Sequence, residues 1–287
     1  RLCRDWSSDV CSSDLEKFVL SNTHYFTSPT RIMKNEVEEL IDKPNYTFEI
    51  VPNLVNKEFE SAQSLHINNP KNILFVGRYE YRKGVDLLIE AFIELSEEYP
   101  NLDANLYFAG RDQYWNEYKK TFYNYWSQKL SQQQLSKINF LDFLSHENLK
   151  DCLEESWVSV FPSRWEPFGN VALEAMLSGC PVIVPSNTGL EEIVGSEYNL
   201  LFQCGDKNDL KIKLKKILNE SLEQHIERSS ISKSRALHVL AESDRLFCTF
   251  LDSISKNNDS LNHTIDHKLN SKLILEIFTI YNEFCSN

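Results

Sequence analysis

The sequence predicts an α/β protein: one doubly wound parallel sheet, preceded by a short α/β piece and followed by a long helical tail. Three observations carry this reading. Between residues 71 and 220, six apolar runs alternate with six amphipathic ones, the pattern of repeated β-α units. The apolar runs are nearly continuous, as strands covered on both faces must be. The chain-breakers are also confined. All eight glycines lie from Gly77 to Gly205 and all nine prolines from Pro29 to Pro185, so residues 206–287 hold neither. Right-handed crossovers between such units give a doubly wound topology.

Taken in order, the chain begins RLCRDWSSDVCSSDL. It has neither the apolar core of a signal peptide nor an amphipathic period. The run DWSSDVCSSDL resembles one reading frame of a sequencing-library adapter, so residues 1–15 are expected to be non-native and the natural start to be missing. Residues 16–60 follow as a short α/β piece. EKFVLSN is apolar, TRIMKNEVEELI places Ile32, Val37, Leu40 and Ile41 near helical spacing, and YTFEIVPN reads as a strand stopped at Pro52. Residues 53–70 are polar and end in Asn-Asn-Pro, and 61–70 are assigned as a linker.

The six β-α units come next. NILFVG, ANLYFAG, KINFL, WVSVFPS, PVIVPS and NLLF are the strands. KGVDLLIEAFIELSEEY, residues 113–130, SHENLKDCLEES, FGNVALEAMLSG, GLEEIVG and DKNDLKIKLKKIL are the helices. Ser145 is placed to cap the third helix, and Gly179 to end the fourth. Within 113–130, Trp115, Tyr118, Phe122, Tyr125 and Trp126 recur at helical spacing and are read as a core-facing stripe rather than a stacking platform. Lys211, Lys213, Lys215 and Lys216 are read as a solvated helix face rather than a membrane contact. From about residue 221 the tail is helical, with a polar break at KNNDSLNHTIDH and a last apolar helix in KLILEIFTIYNEF.

Composition removes several function classes. Hydrophobic residues at 41% and charged residues at 25% describe a globular chain. No apolar run reaches the ~18 residues of a membrane span. A net charge of −12 disfavours nucleic acid as a partner, because phosphate recognition needs a basic face. Seven cysteines without a Cys-x-x-Cys pair point to free thiols in a reducing, cytoplasmic compartment and to no metal cluster.

Two motifs carry chemistry. In GRYEYRKG, Gly77 ends a strand at the carboxyl edge of the sheet, where doubly wound folds bind ligands. Arg78 offers a planar fork to phosphate oxygens, and Lys83 a point charge at the mouth of the next helix. Gly84 lets the backbone approach closely. Together they read as a diphosphate site, or else as exposed loop charges. In PSRWEPFGNVALEAMLSGCPVIVPS, Glu166 precedes a helix opened by Gly169, and Glu174 follows eight residues later. Free N–H groups at that helix mouth can hold an anion or sugar oxygens. The two carboxylates can accept hydrogen bonds from hydroxyls.

GRYEYRKGVDLLIEAF followed by PSRWEPFGNVALEAMLSGCPVI resembles the donor half of glycosyltransferase family 4, retaining enzymes of the GT-B fold. The resemblance spans roughly residues 71–220. It implies a complete Rossmann-like domain that binds a nucleotide-sugar donor, with 16–60 as a remnant of the N-terminal acceptor domain and 221–287 as a helical tail. By resemblance, Arg78 and Lys83 hold the donor diphosphate beside Gly77. Glu166 is the first Glu of an E-x7-E motif, contacts the transferred sugar and carries the catalytic role. The amides of Phe168, Gly169, Asn170 and Val171 approach sugar and phosphates, and Glu174 takes the ribose. The loop around Phe143 and Leu144 faces the nucleobase edge, and His24 matches no position of the family.

The implied reaction is retaining transfer of a sugar to a glycan, lipid or protein-linked acceptor. It needs no bound metal and is compatible with peripheral membrane contact at an inner face. Most of the acceptor domain is absent from the sequence, so the fragment is expected to transfer poorly. The alternatives are a non-catalytic GT-B-like subunit of a glycosyltransferase complex, or another GT-B enzyme such as an epimerase. The intact Arg78, Lys83, Glu166 and Glu174 weigh against both.

Overall fold

A computed structural model describes residues 25–39, 47–61 and 71–260. The expectations for residues 1–15, for EKFVLSN and His24, for Leu40 and Ile41, and for KLILEIFTIYNEF lie outside them.

The preceding piece is small. Strands β1 (Tyr25–Ser28) and β2 (Thr47–Ile50) pair in parallel around helix α1 (Arg31–Glu38). Thr30 caps α1, its hydroxyl accepting from the Met33 N–H. A short 3-10 turn, Lys57–Ser61, then buries Phe59, and Val55 just before it, against the main body.

The main body is a six-stranded, wholly parallel sheet. Its strands are β3 (Lys71–Val76), β4 (Ala104–Ala109), β7 (Ile138–Leu141), β8 (Val158–Val160), β9 (Val182–Pro185) and β10 (Leu201–Phe202). The spatial order is β10-β9-β8-β3-β4-β7. The chain therefore runs outward from β3 through β4 to β7, returns to β8 on the other side, and runs outward again. That reversal between β3 and β8 is the topological switch point of a doubly wound sheet, where a crevice opens at the carboxyl ends.

Both sheet faces are covered, so the strands are apolar throughout. Ile73 and Phe75 face one core with helices α2 (Val85–Glu98) and α8 (Lys207–Leu218). Leu74 faces the other, with α5 (His146–Glu154), α6 (Asn170–Leu177) and α7 (Gly189–Val194). Ser145 caps α5, its hydroxyl accepting from Asn148 N–H. Three of the four lysines singled out in α8 have side-chain partners: Lys211 pairs with Glu94 and Glu98 of α2, Lys213 with Asp209, and Lys215 with the Tyr99 hydroxyl.

Two expected helices differ. Residues 113–130 are not one helix. A hairpin of β5 (Tyr114–Trp115) and β6 (Lys120–Thr121) comes first, then α3 (Phe122–Lys129) and the single turn α4 (Gln132–Leu135). Trp115, Phe122 and Trp126 are nevertheless buried, as the stripe reading expects. Trp115 anchors the hairpin by donating from Nε1 to the Tyr79 carbonyl at 2.6 Å. Among the described residues the tail forms one helix, α9 (Leu222–Ser260), which reaches into the expected polar break, KNNDSLNHTIDH, at 256–260. Neither Gly nor Pro interrupts it, so nothing in the backbone forces a stop.

At the amino ends of the strands, α8 meets α9 in a polar cluster in which the cations are paired but His225 Nδ1 is buried without a hydrogen bond. Lys71 donates to the carbonyls of Leu218 (2.6 Å) and Glu220 (3.2 Å), and its ammonium lies 4.0 Å from the Trp157 ring centre. His225 stacks on Trp157 at 3.7 Å. Arg228 holds both oxygens of Glu220 from Nε, at 3.0 and 2.9 Å, and Asn199 from Nη1 at 2.7 Å. A cavity of about 550 Å³ opens beside it, lined partly by Glu197, Lys216, Gln224 and Glu227.

Candidate functional site

The switch-point crevice is assembled from the turn after β3 and the loop after β8. The β3 turn runs from Gly77 through a 3-10 turn, Tyr81–Lys83, into α2. Gly84 joins the two with φ 67°, a left-handed conformation. A Cβ there would sit 1.9 Å from the Pro162 carbonyl oxygen. This close approach sets the β3 turn against the β8 loop and brings Lys83 to Glu166. Their Nζ and Oε2 atoms are 2.5 Å apart, and the Glu166 carboxylate is only 13% exposed. Ser163 adds a second, longer contact to Oε2 at 3.5 Å.

Gly169 opens α6 with φ 106°, and a Cβ would meet Leu190 Cδ2 at 2.3 Å. The first helical turn behind it, with Asn170 and Val171, has N–H groups that no intrahelical acceptor reaches. Val76, Gly77, Lys83, Ser163, Glu166 and residues 167–172 line one cavity of about 300 Å³ here, with Asn53 on its rim. The positive end of α6 and Lys83 therefore face one small volume.

Sequence-predicted residues divide accordingly. Gly77, Lys83, Glu166, Phe168, Gly169, Asn170 and Val171 share the cavity wall. Arg78 stands outside it, 55% exposed, with Nη2 3.3 Å from Glu80. Glu174 lies in the second turn of α6, away from the wall; burial raises its pKa, and nearby His146 opposes that shift. Phe143 is exposed beyond β7, with the Arg111 guanidinium 5.5 Å from its ring centre.

Several residues at the site carry no signal in the sequence reading. Glu80 is shared between Arg78 and Arg82, the latter at 2.9 Å. Arg164 makes a two-point pair with Asp86, at 2.8 and 2.6 Å, and stacks 3.8 Å from the Tyr81 ring centre. These pin the β8 loop to α2. Asn53 donates to the Asn170 amide oxygen at 2.9 Å. Glu80 and Arg82 could have been suspected from their place inside GRYEYRKG. Asn53 could not, because its partner is 117 residues away.

Comparisons with known proteins bear on the family and the fold. The chain is 34% identical over 170 residues to mannosylfructose-phosphate synthase of Agrobacterium fabrum, covering 58% of this chain and 37% of that protein. It is 31% identical over 182 residues to an uncharacterized glycosyltransferase of Methanocaldococcus jannaschii, covering 59% and 44%. The chain thus spans less than half the length of these curated relatives. Among solved structures, sucrose-phosphate synthase from Thermosynechococcus elongatus superposes with a TM-score of 0.70 at 22% identity, covering 88% of this chain and 64% of that one. That likeness places the fold among GT-B glycosyltransferases. Residues 56–234, which hold the whole sheet, the Lys83–Glu166 crevice and the start of α9, match the family Glycosyl transferases group 1, and the chain belongs to that family.

Proposed function

We propose that this chain carries the nucleotide-sugar half of a retaining glycosyltransferase. The observation that supports it best is the convergence of Lys83, Glu166 and the N-terminus of α6 on one crevice at the switch point. The acidic chain concentrates positive potential there, as an anionic diphosphate requires. Relatives named mannosylfructose-phosphate synthase and glycogen synthase fit a sugar-transfer reading.

In this reading the diphosphate displaces Glu166 from Lys83 and draws in Arg78, which swings from Glu80. The bond from the anomeric carbon to the diphosphate oxygen breaks, and one to the acceptor oxygen forms on the same face. The acceptor proton leaves with the departing diphosphate. Charge growing on that leaving group is stabilised by Arg78, Lys83 and the amides at 168–171, which are already oriented. Lys83 and Arg78 supply this charge without a metal. Glu166, freed from Lys83, accepts from sugar hydroxyls, and Glu174 is assigned to the ribose. Phe143 and Arg111 offer a stacking face to the base. The acceptor is a hydroxyl of a glycan, lipid or protein-linked acceptor molecule.

Calorimetric titration with UDP, GDP and ADP tests the donor site. At least one is expected to bind with Kd below about 1 mM. Absence of heat from all three at millimolar ligand would sink the reading and favour a non-catalytic subunit.

A further inference from the structure

Both chain neighbours of Glu166 are held by residues of the preceding α/β piece. The Trp165 indole Nε1 donates to Glu36 Oε2 at 2.8 Å. The Pro167 carbonyl accepts from the Thr30 hydroxyl at 2.7 Å. On its other side, Trp165 meets the diphosphate turn: the Arg82 guanidinium lies 5.6 Å from its ring centre, and Arg82 Nη1 donates to its carbonyl at 3.2 Å. The piece is itself latched to the sheet domain, because the α1 N–H groups of Arg31 and Ile32 donate to the Glu192 carboxylate at 3.1 and 2.7 Å. Thr30 and Glu36 precede residue 56, where the family match starts.

We propose that Glu36 and Trp165 are a positioning pair, which fixes the Glu166 carboxylate for the sugar of a nucleotide-sugar donor. The inference rests on the donor-site reading above. The physical case is one of constraint. Glu166 sits in a loop outside the sheet ladder, where its carbonyl accepts from the Gly189 N–H at 2.8 Å and its carboxylate meets Lys83 and Ser163. Once a ligand takes Lys83, the restraints on residues 165 and 167 carry more of its aim. A neutral indole N–H bound to a carboxylate is a charge-assisted hydrogen bond, stronger than a neutral one. Bracketing the indole between Glu36 and Arg82 fixes both its tilt and the peptide that follows. The donor site is then not self-contained in the sheet domain. Its sugar end is tied to a helix of the preceding piece, whereas Arg78 and Lys83, at its diphosphate end, are carried by the β3 turn, whose ties run to the β8 loop of the sheet domain itself.

That asymmetry gives the test. Affinity is measured for UDP, GDP and ADP and for UDP-glucose, GDP-mannose and ADP-glucose, on the full chain and on Glu36→Ala, Glu36→Gln and Trp165→Phe. Trp165→Phe keeps an aromatic ring beside Arg82 but removes the donor, and Glu36→Gln keeps an acceptor oxygen. Glu36→Ala and Trp165→Phe are expected to weaken the preferred nucleotide sugar about tenfold. The matching nucleoside diphosphate should change less than about twofold, with melting temperatures unchanged and Glu36→Gln close to the parent. Parent-like affinity for the sugar nucleotide in both variants overturns the proposal. So does a parallel loss for both ligands together with a lower melting temperature, which would mark a merely structural contact. If the unaltered chain binds none of the six, the donor-site reading falls, and this proposal with it.

Discussion

Arg78 and Arg228 lie at opposite ends of the same sheet and are treated in opposite ways. Arg228 is 14% exposed and donates to both oxygens of Glu220, itself 8% exposed, and to Asn199. Arg78 is 55% exposed and has one ionic partner at 3.3 Å, which it shares with Arg82. Lysines repeat the contrast. Lys71 is spent on two carbonyls that close α8, whereas Lys83 holds a single carboxylate that a stronger anion can replace. The cavity beside Arg228 is the larger, about 550 against about 300 Å³. Size therefore does not single out the proposed donor site. What singles it out is positive charge whose hydrogen-bonding capacity is not yet used, next to the α6 N-terminus in the same condition.

The comparison breaks first at Glu220. Glu220→Ala leaves a buried guanidinium unpaired and should lower stability by about 3–5 kcal/mol, read by urea unfolding, with diphosphate affinity unchanged in the folded fraction. A loss below 1 kcal/mol, on the order of a surface pair, would show that Arg228 is not held as described.

The next effect is set by pH at the same end. His225 is 1% exposed, and burial, with repulsion from Lys71 and Arg228, pushes its pKa down to about 4 from an ordinary 6.5. The unfolded chain takes up a proton near 6.5 that the folded chain refuses until about 4. Its contribution is thus fully present above pH 6.5 and is lost as pH falls from there toward 4. The loss is on the order of 3 kcal/mol. His225→Phe keeps a ring on Trp157 and should flatten this part of the stability profile between pH 7 and 4.5. An unchanged slope would place the acid sensitivity elsewhere.

The smaller effects belong to the crevice and appear in binding rather than folding. Lys83→Gln keeps a donor for Glu166 but removes the charge, and should weaken nucleoside diphosphate binding about 30-fold. Arg78→Ala, at an exposed position, should cost about fivefold, and less as salt is raised. Calorimetry at two ionic strengths checks both. Reversed ranking would mean that Arg78, not Lys83, is the main phosphate contact.

Much of the sheet was legible because burial on both faces writes strands as unbroken apolar runs. KNILFV and VIVP leave no other reading at their length. The hairpin at 114–121 was missed for a specific reason. Trp115, Tyr118 and Phe122 have the spacing of a helical stripe, and they do pack together, with Trp115 and Tyr118 stacked at 5.1 Å. A tight hairpin brings the same rings to the same core, so burial pattern alone could not separate the two. At the site, Lys83, Glu166 and Gly169 were readable because the chain order of strand, turn and helix fixes where each must fall. Thr30, Glu36 and Asn53 were not. Their partners are 117 to 137 residues distant, and no local period or spacing encodes such a contact.

The Glu192 carboxylate has one further consequence, and it concerns time. Helix α1 is eight residues long, too short to persist alone in water. Two of its orphan N–H groups are satisfied by a side chain 160 and 161 residues further along. At about 5–20 residues per second, a ribosome delivers Glu192 roughly 8–30 seconds after Ile32. Until then the helix start has only the Thr30 hydroxyl. The segment that reaches the Glu166 loop is therefore made early and ordered late, and the crevice takes its final form only after most of the sheet has been synthesised.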